Sequence, residues 1–391
     1  MELQQSFLQL YPKAKEVHFA FCPYRVCPIG AHSDHQYGMV SGFAIDKGIE
    51  IAYIPSDNGV VELQSMNFDG EVQFHIHDVP AIKRNDWADY LRGATLFLAK
   101  KYEIRKGIYA LIKGSLPIGG LSSSAAVILA YLSALCKANQ LKLSKHQLIE
   151  FALMAENKYV GVSCGKLDQS CEVYSKKDHL LYLDTKDDSY ELIPRNPQMK
   201  PFEFAIFFSG MERSLAGSAF NMRVDELKAA SYALKAFAGM EYGKFEDSRL
   251  RDVPREVFEQ YKDRLPENWR KRATHFYTEF ERVNLGAEAW RRGDIETLGK
   301  LSSQSGHSSI YDYETGSPEL KTIYEIMLET DGVYGGRFSG AGFKGCCMAL
   351  IDPAFKEIIT KTVTERYLER FPQYKGKFSV HFCQSADGCE V

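Results

Sequence analysis

Alternation of apolar and polar residues along the chain predicts β-strands in both halves. The predicted strands cover residues 43–55, 71–76, 108–112, 202–208, 346–351 and 377–382. The first two of these segments alternate as half-buried strands do, and the others are short runs of β-prone side chains.

Apolar residues that recur every three or four positions predict helices between these strands. The clearest start signal is the capping box formed by Ser144 and Gln147, which opens a helix that runs to about residue 159. The predicted helices cover residues 87–98, 144–159, 217–238, 268–303 and 353–370.

The segment LIPRNPQMKP at residues 192–201 has no periodicity and holds three prolines, which makes it the candidate linker. We therefore predict two domains, residues 1–195 and 196–391. Strands and helices mix without regular β-α-β alternation, and this predicts an α+β fold with largely antiparallel sheets.

The composition is that of an ordinary globular protein and agrees with two domains. The chain has 391 residues, of which 45% are hydrophobic and 25% charged, which argues against disorder and fibres. The net charge of -3 carries no block of one sign, so we expect a small-molecule partner and no nucleic acid.

Targeting and cysteine patterns predict a cytoplasmic protein without membrane contact. The first residues lack the features of a signal peptide, and no apolar run reaches about 18 residues. Nine scattered cysteines without a CxxC pair predict reduced, mostly buried thiols.

The segment LPIGGLSSSAA at residues 116–126 follows a predicted strand and begins an apolar helix. Glycines let the backbone approach a bulky anion, serine hydroxyls donate to it or bind its magnesium, and the amides of a helix amino terminus attract negative charge. A glycine turn with a serine cap is the structural alternative, since no Walker GK[ST] follows. The residues predicted to hold a nucleoside triphosphate are Pro117, Gly119, Gly120, Leu121, Ser122, Ser123 and Ser124.

Two further segments are dense in polar residues or in glycine: RVCPIGAHSDH at 25–35, and GGRFSGAGFKG at 335–345. With the phosphate loop, their order and spacing resemble the signature segments of the galactose, homoserine, mevalonate and phosphomevalonate kinase (GHMP) superfamily, and most closely those of the galactokinases. The similar segments are YRVCPIGAHSDH at 24–35, PIGGLSSSA at 117–125, CGKLDQ at 164–169, RSLAGSAFNMRV at 213–224 and GRFSGAGFKGC at 336–346.

The resemblance implies an ATP-dependent sugar 1-kinase whose active site lies in the cleft between two domains. It implies that Asp168 takes the proton of the anomeric hydroxyl and that Arg25 orients the site and offsets charge during transfer. Ser124 and Glu156 match the ligands of Mg²⁺, and an oxygen-only pair suits a hard cation. A turn carboxylate at Asp168 and an exposed helix carboxylate at Glu156 are the structural alternatives. Trp87 is the candidate for the adenine pocket.

The sugar-binding positions depart from the galactokinase pattern at two places. Ala31 stands where galactokinases carry a glutamate that would bind the 6-hydroxyl of galactose, and Phe220 replaces a tyrosine. His32 and Asp34 remain in register, so the resemblance still implies a galacto-configured sugar. The residues assigned to sugar binding are Ala31, His32, Asp34, Gly165, Lys166, Phe220 and Gly340.

Two hypotheses explain these departures. Either the site still uses D-galactose, with weaker binding, or its substrate carries a carboxylate at carbon 6, which a glutamate would repel. The segment GAHSDHQ resembles that of plant galacturonokinases and favours D-galacturonate. Lys166 and Arg213 add positive charge that agrees with a uronic acid, unless they face solvent.

Two other classes of protein compete with a kinase. His32 and His35, with His75 and His77, would suit a metal-dependent hydrolase, but that class leaves the serine loop unexplained. A non-catalytic sensor of sugar and ATP is disfavoured because the chain keeps the serine loop, the arginine and the aspartate. Whether Lys344 contacts phosphate or solvent stays open.

Overall fold

The computed structural model describes residues 2–211 and 217–390. Its strands are β1 (His18–Val26), β2 (Met39–Ser56), β3 (Val60–Ser65), β4 (Glu71–His75), β5 (Gly107–Gly114), β6 (His179–Asp184), β7 (Tyr190–Pro194), β8 (Glu203–Phe208), β9 (Val333–Phe338), β10 (Cys346–Ile351), β11 (Ser379–Cys383) and β12 (Ser385–Ala386). Its α-helices are α1 (Glu2–Leu10), α2 (Asp89–Lys101), α3 (Ser123–Ala138), α4 (Lys145–Met154), α5 (Leu167–Tyr174), α6 (Gly217–Phe237), α7 (Arg255–Tyr261), α8 (Glu267–Arg292), α9 (Ile295–Tyr311), α10 (Pro318–Leu328) and α11 (Lys356–Arg370). A π-helical turn, Ala155–Val160, continues α4 directly.

The larger sheet has the order β4-β3-β5-β2-β6-β7, and β1 and β12 also pair with β2. Its pairs are antiparallel except for β3 with β5. Helix α3 packs against β1 and β2 and is buried over nearly all of its length, as expected for a helix that is apolar all round. The first turn of α3 is thereby held rigidly beside the end of β1.

The smaller sheet has the order β11-β8-β10-β9 and is antiparallel throughout. Helices α9 and α10 pack against β9, and α11 packs against β11. The chain then returns to the larger sheet, where β12 pairs with β2. The largest apolar cluster joins both halves, since it includes Leu129 together with Phe204, Trp290 and Met348. The domain boundary at residue 195 stays a prediction.

The predicted fold class is confirmed, as are all six predicted strands to within a few residues. The capping box at Ser144 is also confirmed: the hydroxyl accepts from the Gln147 amide, and the Gln147 side chain accepts from the Ser144 amide.

Two predictions of secondary structure are wrong in part. The single helix predicted over 268–303 is two helices, because Gly293 ends α8 in the left-handed conformation (φ 78°) and the Asp294 side chain caps α9. The predicted linker is also shorter, since its first three residues belong to β7, where Ile193 is buried.

All nine cysteines lie in the described residues as free thiols, and all but Cys164 are buried, in agreement with the prediction. Among the helices of residues 2–211 and 217–390, none is long and apolar enough to cross a membrane.

Candidate active site

Two glycine-rich loops from different halves of the chain meet backbone to backbone at a cleft of about 560 Å³. One loop precedes α3, and the other joins β9 to β10. A Cβ atom on Gly120 would lie 2.6 Å from the Cys346 sulphur, and one on Gly340 would lie 2.9 Å from the Gly120 Cα. Both glycines also have positive φ angles, of 86° and 71°. The close approach of the two loops therefore requires glycine at both positions.

The phosphate loop ends in the first turn of α3. Ser122 adopts the left-handed conformation (φ 61°), and its buried hydroxyl has no partner among the described residues. Ser123 begins the helix, whose first amides lack helical acceptors and are therefore available to an anion. The predicted loop residues that line the cleft are Gly119, Gly120, Ser122, Ser123 and Ser124.

Two residues that were predicted to bind ATP have side chains that lie outside the cleft. Pro117 is exposed, and Leu121 is buried in the largest apolar cluster. Neither lines the cleft. Neither side chain faces the cleft, because one faces solvent and the other is buried in the core, and the assignment of these two residues to ATP stays a prediction.

Arg25, on β1, connects the predicted base to the phosphate loop. Its Nε and Nη2 lie 2.8 Å and 2.7 Å from Asp168 Oδ1, and its Nη1 donates to the carbonyl of Gly120 at 3.1 Å. Asp168 lies in the first turn of α5 with 27% of its side chain exposed to the cleft. Burial lowers the pKa of Arg25, but the charge of Asp168, together with Cys27, the hydrogen bond to Asp168 and Glu172, outweighs burial and holds that pKa above its ordinary value. The two residues form a pair of fixed opposite charges at the cleft.

Glu156 lies on the π-helical turn and faces the start of α3. Its carboxylate accepts hydrogen bonds from Ser124, Cys164 and Gln169. Burial, followed by the negative charge of Asp168, raises the pKa of Glu156 to about 7. A buried carboxylate beside a serine hydroxyl, with no cationic side chain bonded to it among the described residues, is a donor set that fits a hard divalent cation.

Asp34 is held by the segment that precedes the predicted base. Its Oδ2 accepts from the amide of Leu167 at 3.1 Å. A Cβ atom on Gly165 would lie 2.5 Å from the Asp34 Cγ and equally close to the His35 amide, so a side chain at 165 would displace Asp34. Burial, followed by the charge of Asp168, raises the pKa of Asp34 to about 6. Asp34, Gly165 and Asp168 all line the cleft.

The two departures from the galactokinase pattern also lie at the cleft, since Ala31 and Phe220 line it, as does His32. The Ala31 carbonyl accepts from His275 Nε2 at 3.0 Å, which fixes the backbone of this segment. The His32 ring stacks on Tyr313 at 4.3 Å, and its buried Nε2 has no partner among the described residues. Burial, reinforced by nearby positive charge, keeps the pKa of His32 well below its ordinary value, so the ring is neutral.

Lys166 does not line the cleft, which gives no support to its predicted contact with the sugar, and that contact stays a prediction. Its Nζ lies 2.7 Å from Asp188 Oδ2 and 3.3 Å from Glu150 Oε1. These two carboxylates and His146 would otherwise suit a metal ion, but the ammonium group of Lys166 already binds both carboxylates. The salt bridge with Asp188 explains why the Lys166 side chain points away from the cleft. The two residues are 22 positions apart in the sequence, so their spacing did not predict this pair.

Trp87 lines a second, smaller cavity of about 50 Å³ beside the first one. Its ring is parallel to that of Phe68, at 6.2 Å between centroids, and the same cavity is lined by Ser123 and Ser124. An apolar slot next to the phosphate loop agrees with the predicted adenine pocket, which stays a prediction.

The structure adds two residues at the rim of the cleft that the sequence analysis did not select. Lys83 donates to the carbonyl of Val160 at 2.6 Å. Asn221, on α6, donates to the Gly161 carbonyl and accepts from the Ser163 amide, both at 3.0 Å. Asn221 falls within the segment RSLAGSAFNMRV and could have been selected there, whereas Lys83 lies in a stretch without any motif.

Three remaining predictions have different outcomes. Lys344 lines the cleft, as does Gly340. Arg213 lies outside the described residues. His75 bonds the carbonyl of Asn58 and does not line the cleft, so the geometry of the described residues lends the hydrolase alternative no support.

Comparison with known proteins finds the same family along the whole chain. A family profile for the GHMP kinases N terminal domain matches residues 89–176, and one for the GHMP kinases C terminal region matches residues 287–367. A galacturonokinase from Arabidopsis thaliana is 38% identical over 100% of this chain and 97% of its own. A galactokinase from Roseiflexus sp. is 32% identical over 99% of this chain and 96% of its own. The crystal structure of Lactococcus lactis galactokinase complexed with galactose superposes with a TM-score of 0.90, at 28% identity, over 100% and 98% of the two chains.

Proposed function

Because the chain belongs to the galactokinase family of the GHMP kinases, we propose that it transfers the γ-phosphate of ATP to the anomeric hydroxyl of D-galacturonate. The proposal has three parts: the chemistry of transfer, the cation that assists it, and the sugar that is recognised. Each part rests on separate residues of the cleft.

In the proposed reaction Asp168 takes the proton from the anomeric hydroxyl as the phosphoryl group arrives. Its carboxylate is partly exposed to the cleft, and both bonds from Arg25 go to Oδ1, which leaves Oδ2 without a bond from Arg25 and able to take the proton. Arg25 would hold this carboxylate in place and offset charge in the transition state, while its bond to Gly120 links the base to the phosphate loop. This arrangement supports transfer at one fixed position, since phosphoryl transfer depends mainly on positioning and charge stabilisation.

Ser124 and Glu156 are the residues that would hold Mg²⁺. Their oxygens are adjacent at the mouth of the phosphate loop, and the raised pKa of Glu156 reflects a buried carboxyl group that lacks a countercharge. When bound, the cation would neutralise charge on the phosphates. Glu156 also receives a bond from Gln169, which would orient its carboxylate.

The single observation that carries the choice of sugar is Ala31 at the wall of the cleft. A glutamate in its place would repel a 6-carboxylate by about 1 to 4 kcal/mol at 4 Å, which corresponds to roughly 5- to 900-fold in affinity. Alanine removes that repulsion. The similarity to the Arabidopsis thaliana galacturonokinase, at 38% identity over the whole chain, supports the same choice.

The test is coupled ADP-release kinetics on D-galacturonate, D-galactose and D-glucuronate. We expect kcat/KM to be highest for galacturonate, and a tenfold or greater preference for galactose would overturn the proposal. The variants A31E and A31Q then separate charge from size, because glutamate and glutamine have nearly the same shape. We expect A31E to lose galacturonate activity by roughly 5-fold or more relative to A31Q. Equal losses in the two variants would mean that bulk alone explains the effect.

D-galactose is the second candidate. The Leu167 amide holds Asp34 close to the proposed base, in a position from which its carboxylate would bind hydroxyl groups of the sugar ring. This contact would not depend on the group at carbon 6. The galactose-bound Lactococcus lactis enzyme, with a TM-score of 0.90, supports the same candidate. The loss of one neutral hydrogen bond at carbon 6 would cost only about 0.5 to 1.5 kcal/mol.

A further inference from the structure

Two side chains of α8 bind the backbone of the segment that carries Ala31. Glu279 Oε1 accepts from the Gly30 amide at 2.6 Å, and His275 Nε2 lies 3.0 Å from the Ala31 carbonyl oxygen. We propose that His275 and Glu279 are positioning residues, which fix this segment and thereby set how the cleft discriminates between groups at carbon 6 of the sugar. This inference rests on the proposed function only in placing Ala31 beside carbon 6.

The contact with this segment extends along one face of α8. Val283 and Gly286 follow the two polar residues at helical spacing and therefore lie on the same face of the helix. A Cβ atom on Gly286 would lie 2.6 Å from Ile29 Cδ1, and one on Gly30 would lie 3.1 Å from Val283 Cγ2. Residues 29–31, in the first half of the chain, thus rest on about three turns of a helix from the second half.

Glu279 is an ionised carboxylate although it is fully buried. Its Oε2 accepts from Arg282 Nε at 2.7 Å, its Oε1 lies 3.5 Å from Arg337 Nη1, and the Ser305 hydroxyl also donates to Oε1. Burial raises the pKa of Glu279, but these two guanidinium groups, His275 and the Ser305 hydroxyl outweigh burial and lower it to about 2. A hydrogen bond from an amide to a charged acceptor is stronger than one to a neutral acceptor, so Glu279 holds Gly30 firmly.

His275 is buried and neutral, and contacts at both ring nitrogens orient it. Burial, aided by two nearby guanidinium groups, outweighs the Glu279 carboxylate and the Ala31 carbonyl and lowers the pKa of His275 to about 4. Because a carbonyl oxygen can only accept, Nε2 carries the hydrogen and donates to Ala31. Nδ1 lies 2.9 Å from the hydroxyl of Ser308, on α9, so a second helix fixes the direction of this bond.

The backbone of His32, which follows Ala31, depends on this support. His32 adopts the left-handed conformation (φ 64°), which is costly for a residue with a side chain and persists only where surrounding contacts impose it. The His32 ring and the Ala31 methyl group both line the cleft. Without the bonds to α8 the backbone would relax and both groups would shift. A rigid wall distinguishes a carboxylate from a hydroxymethyl group, whereas a wall that shifts adapts to either one.

Steady-state kinetics of three variants test the inference. H275L keeps apolar bulk but cannot donate to the Ala31 carbonyl, and H275Q restores a donor. Y277F is the matched control, since the Tyr277 hydroxyl is a buried donor of the same helix that bonds the Val253 carbonyl instead, at 2.9 Å.

We expect H275L to raise the KM for the sugar by about threefold or more, with kcat and the KM for ATP changed by less than about twofold. The ratio of kcat/KM between galacturonate and galactose should move toward one by about threefold or more, because only the wall at carbon 6 is loosened. H275Q and Y277F should stay within about twofold of the wild type in all of these quantities.

Hydrogen exchange of the peptide that contains Gly30 is a second measurement and needs no sugar. The Gly30 amide should exchange slowly in the wild-type protein and about threefold or more faster in H275L and in E279A, with no change in Y277F. E279A leaves two guanidinium groups without their carboxylate. Should circular dichroism show that E279A does not fold, H275L decides the result.

An unchanged selectivity ratio in H275L, or a change of the same size in Y277F, would overturn the inference. A KM for ATP that rises as much as the KM for the sugar would overturn it as well. A wild-type enzyme that prefers galactose removes only the proposed substrate, because the selectivity ratio should still move toward one in H275L. A galacturonate kinase whose H275L variant has wild-type kinetics and wild-type exchange removes only this inference.

Discussion

Replacing Glu156 by glutamine should change how the stability of the protein depends on pH. The Glu156 carboxyl has an ordinary pKa of 4.5, and burial with the charge of Asp168 raises it to about 7 in the folded state. A raised carboxyl pKa means that the folded state binds the proton more tightly, so its stabilising contribution is present below pH 4.5 and is lost as the pH rises through 7. From these two values the contribution is about 2 to 3 kcal/mol at pH 5 and close to zero at pH 8. E156Q does not titrate and lacks this dependence.

The measurement is urea unfolding of the wild-type protein and E156Q at pH 5 and pH 8, without nucleotide or divalent cation. The difference in unfolding free energy between the two proteins should shift by about 2 to 3 kcal/mol between these pH values, with the wild type losing stability as the pH rises. Other titrating groups, including Asp34, are present in both proteins and cancel in the difference. A shift below about 0.5 kcal/mol, or a shift of opposite sign, would refute the burial argument for Glu156 and weaken its assignment to Mg²⁺.

Three further predictions concern the base and its neighbours. D168N should abolish turnover while ATP still binds by calorimetry, because asparagine keeps the shape but cannot take a proton; an unchanged rate would remove the assignment of the base. G165A should lower kcat/KM for the sugar by about tenfold or more through displacement of Asp34, with a smaller effect on the KM for ATP; equal effects on both substrates would indicate general unfolding. K166M should change the KM for galacturonate by less than about threefold, because the ammonium group binds Asp188 and not the cleft; a tenfold rise would restore Lys166 to the sugar site.

Much of this protein follows from local patterns in the sequence. Alternation and helical spacing located six of the twelve strands of the described residues and most of their helices, because these patterns reflect which face of each element is buried. The capping box could be predicted from the sequence because its two partners, Ser144 and Gln147, lie within one four-residue segment. The glycine-serine loop predicted a helix amino terminus open to an anion, and the structure has that geometry at Ser123. Spacing and order of the five segments were also sufficient to identify the family.

Tertiary structure alone decided which side chains share the cleft. Leu121 and Ser122 are neighbours in the chain, yet one is buried in the core and the other faces the cleft. Lys166 is two residues from the proposed base in the sequence, but its ammonium group forms a salt bridge with Asp188 outside the cleft. The proximity of Cys164 to Glu156 depends on the path of the π-helical turn, and so does the raised pKa that burial imposes on the carboxyl group. Sequence patterns report the burial of one element at a time, whereas distances between side chains and the loss of solvent around a charge arise only when the elements pack together.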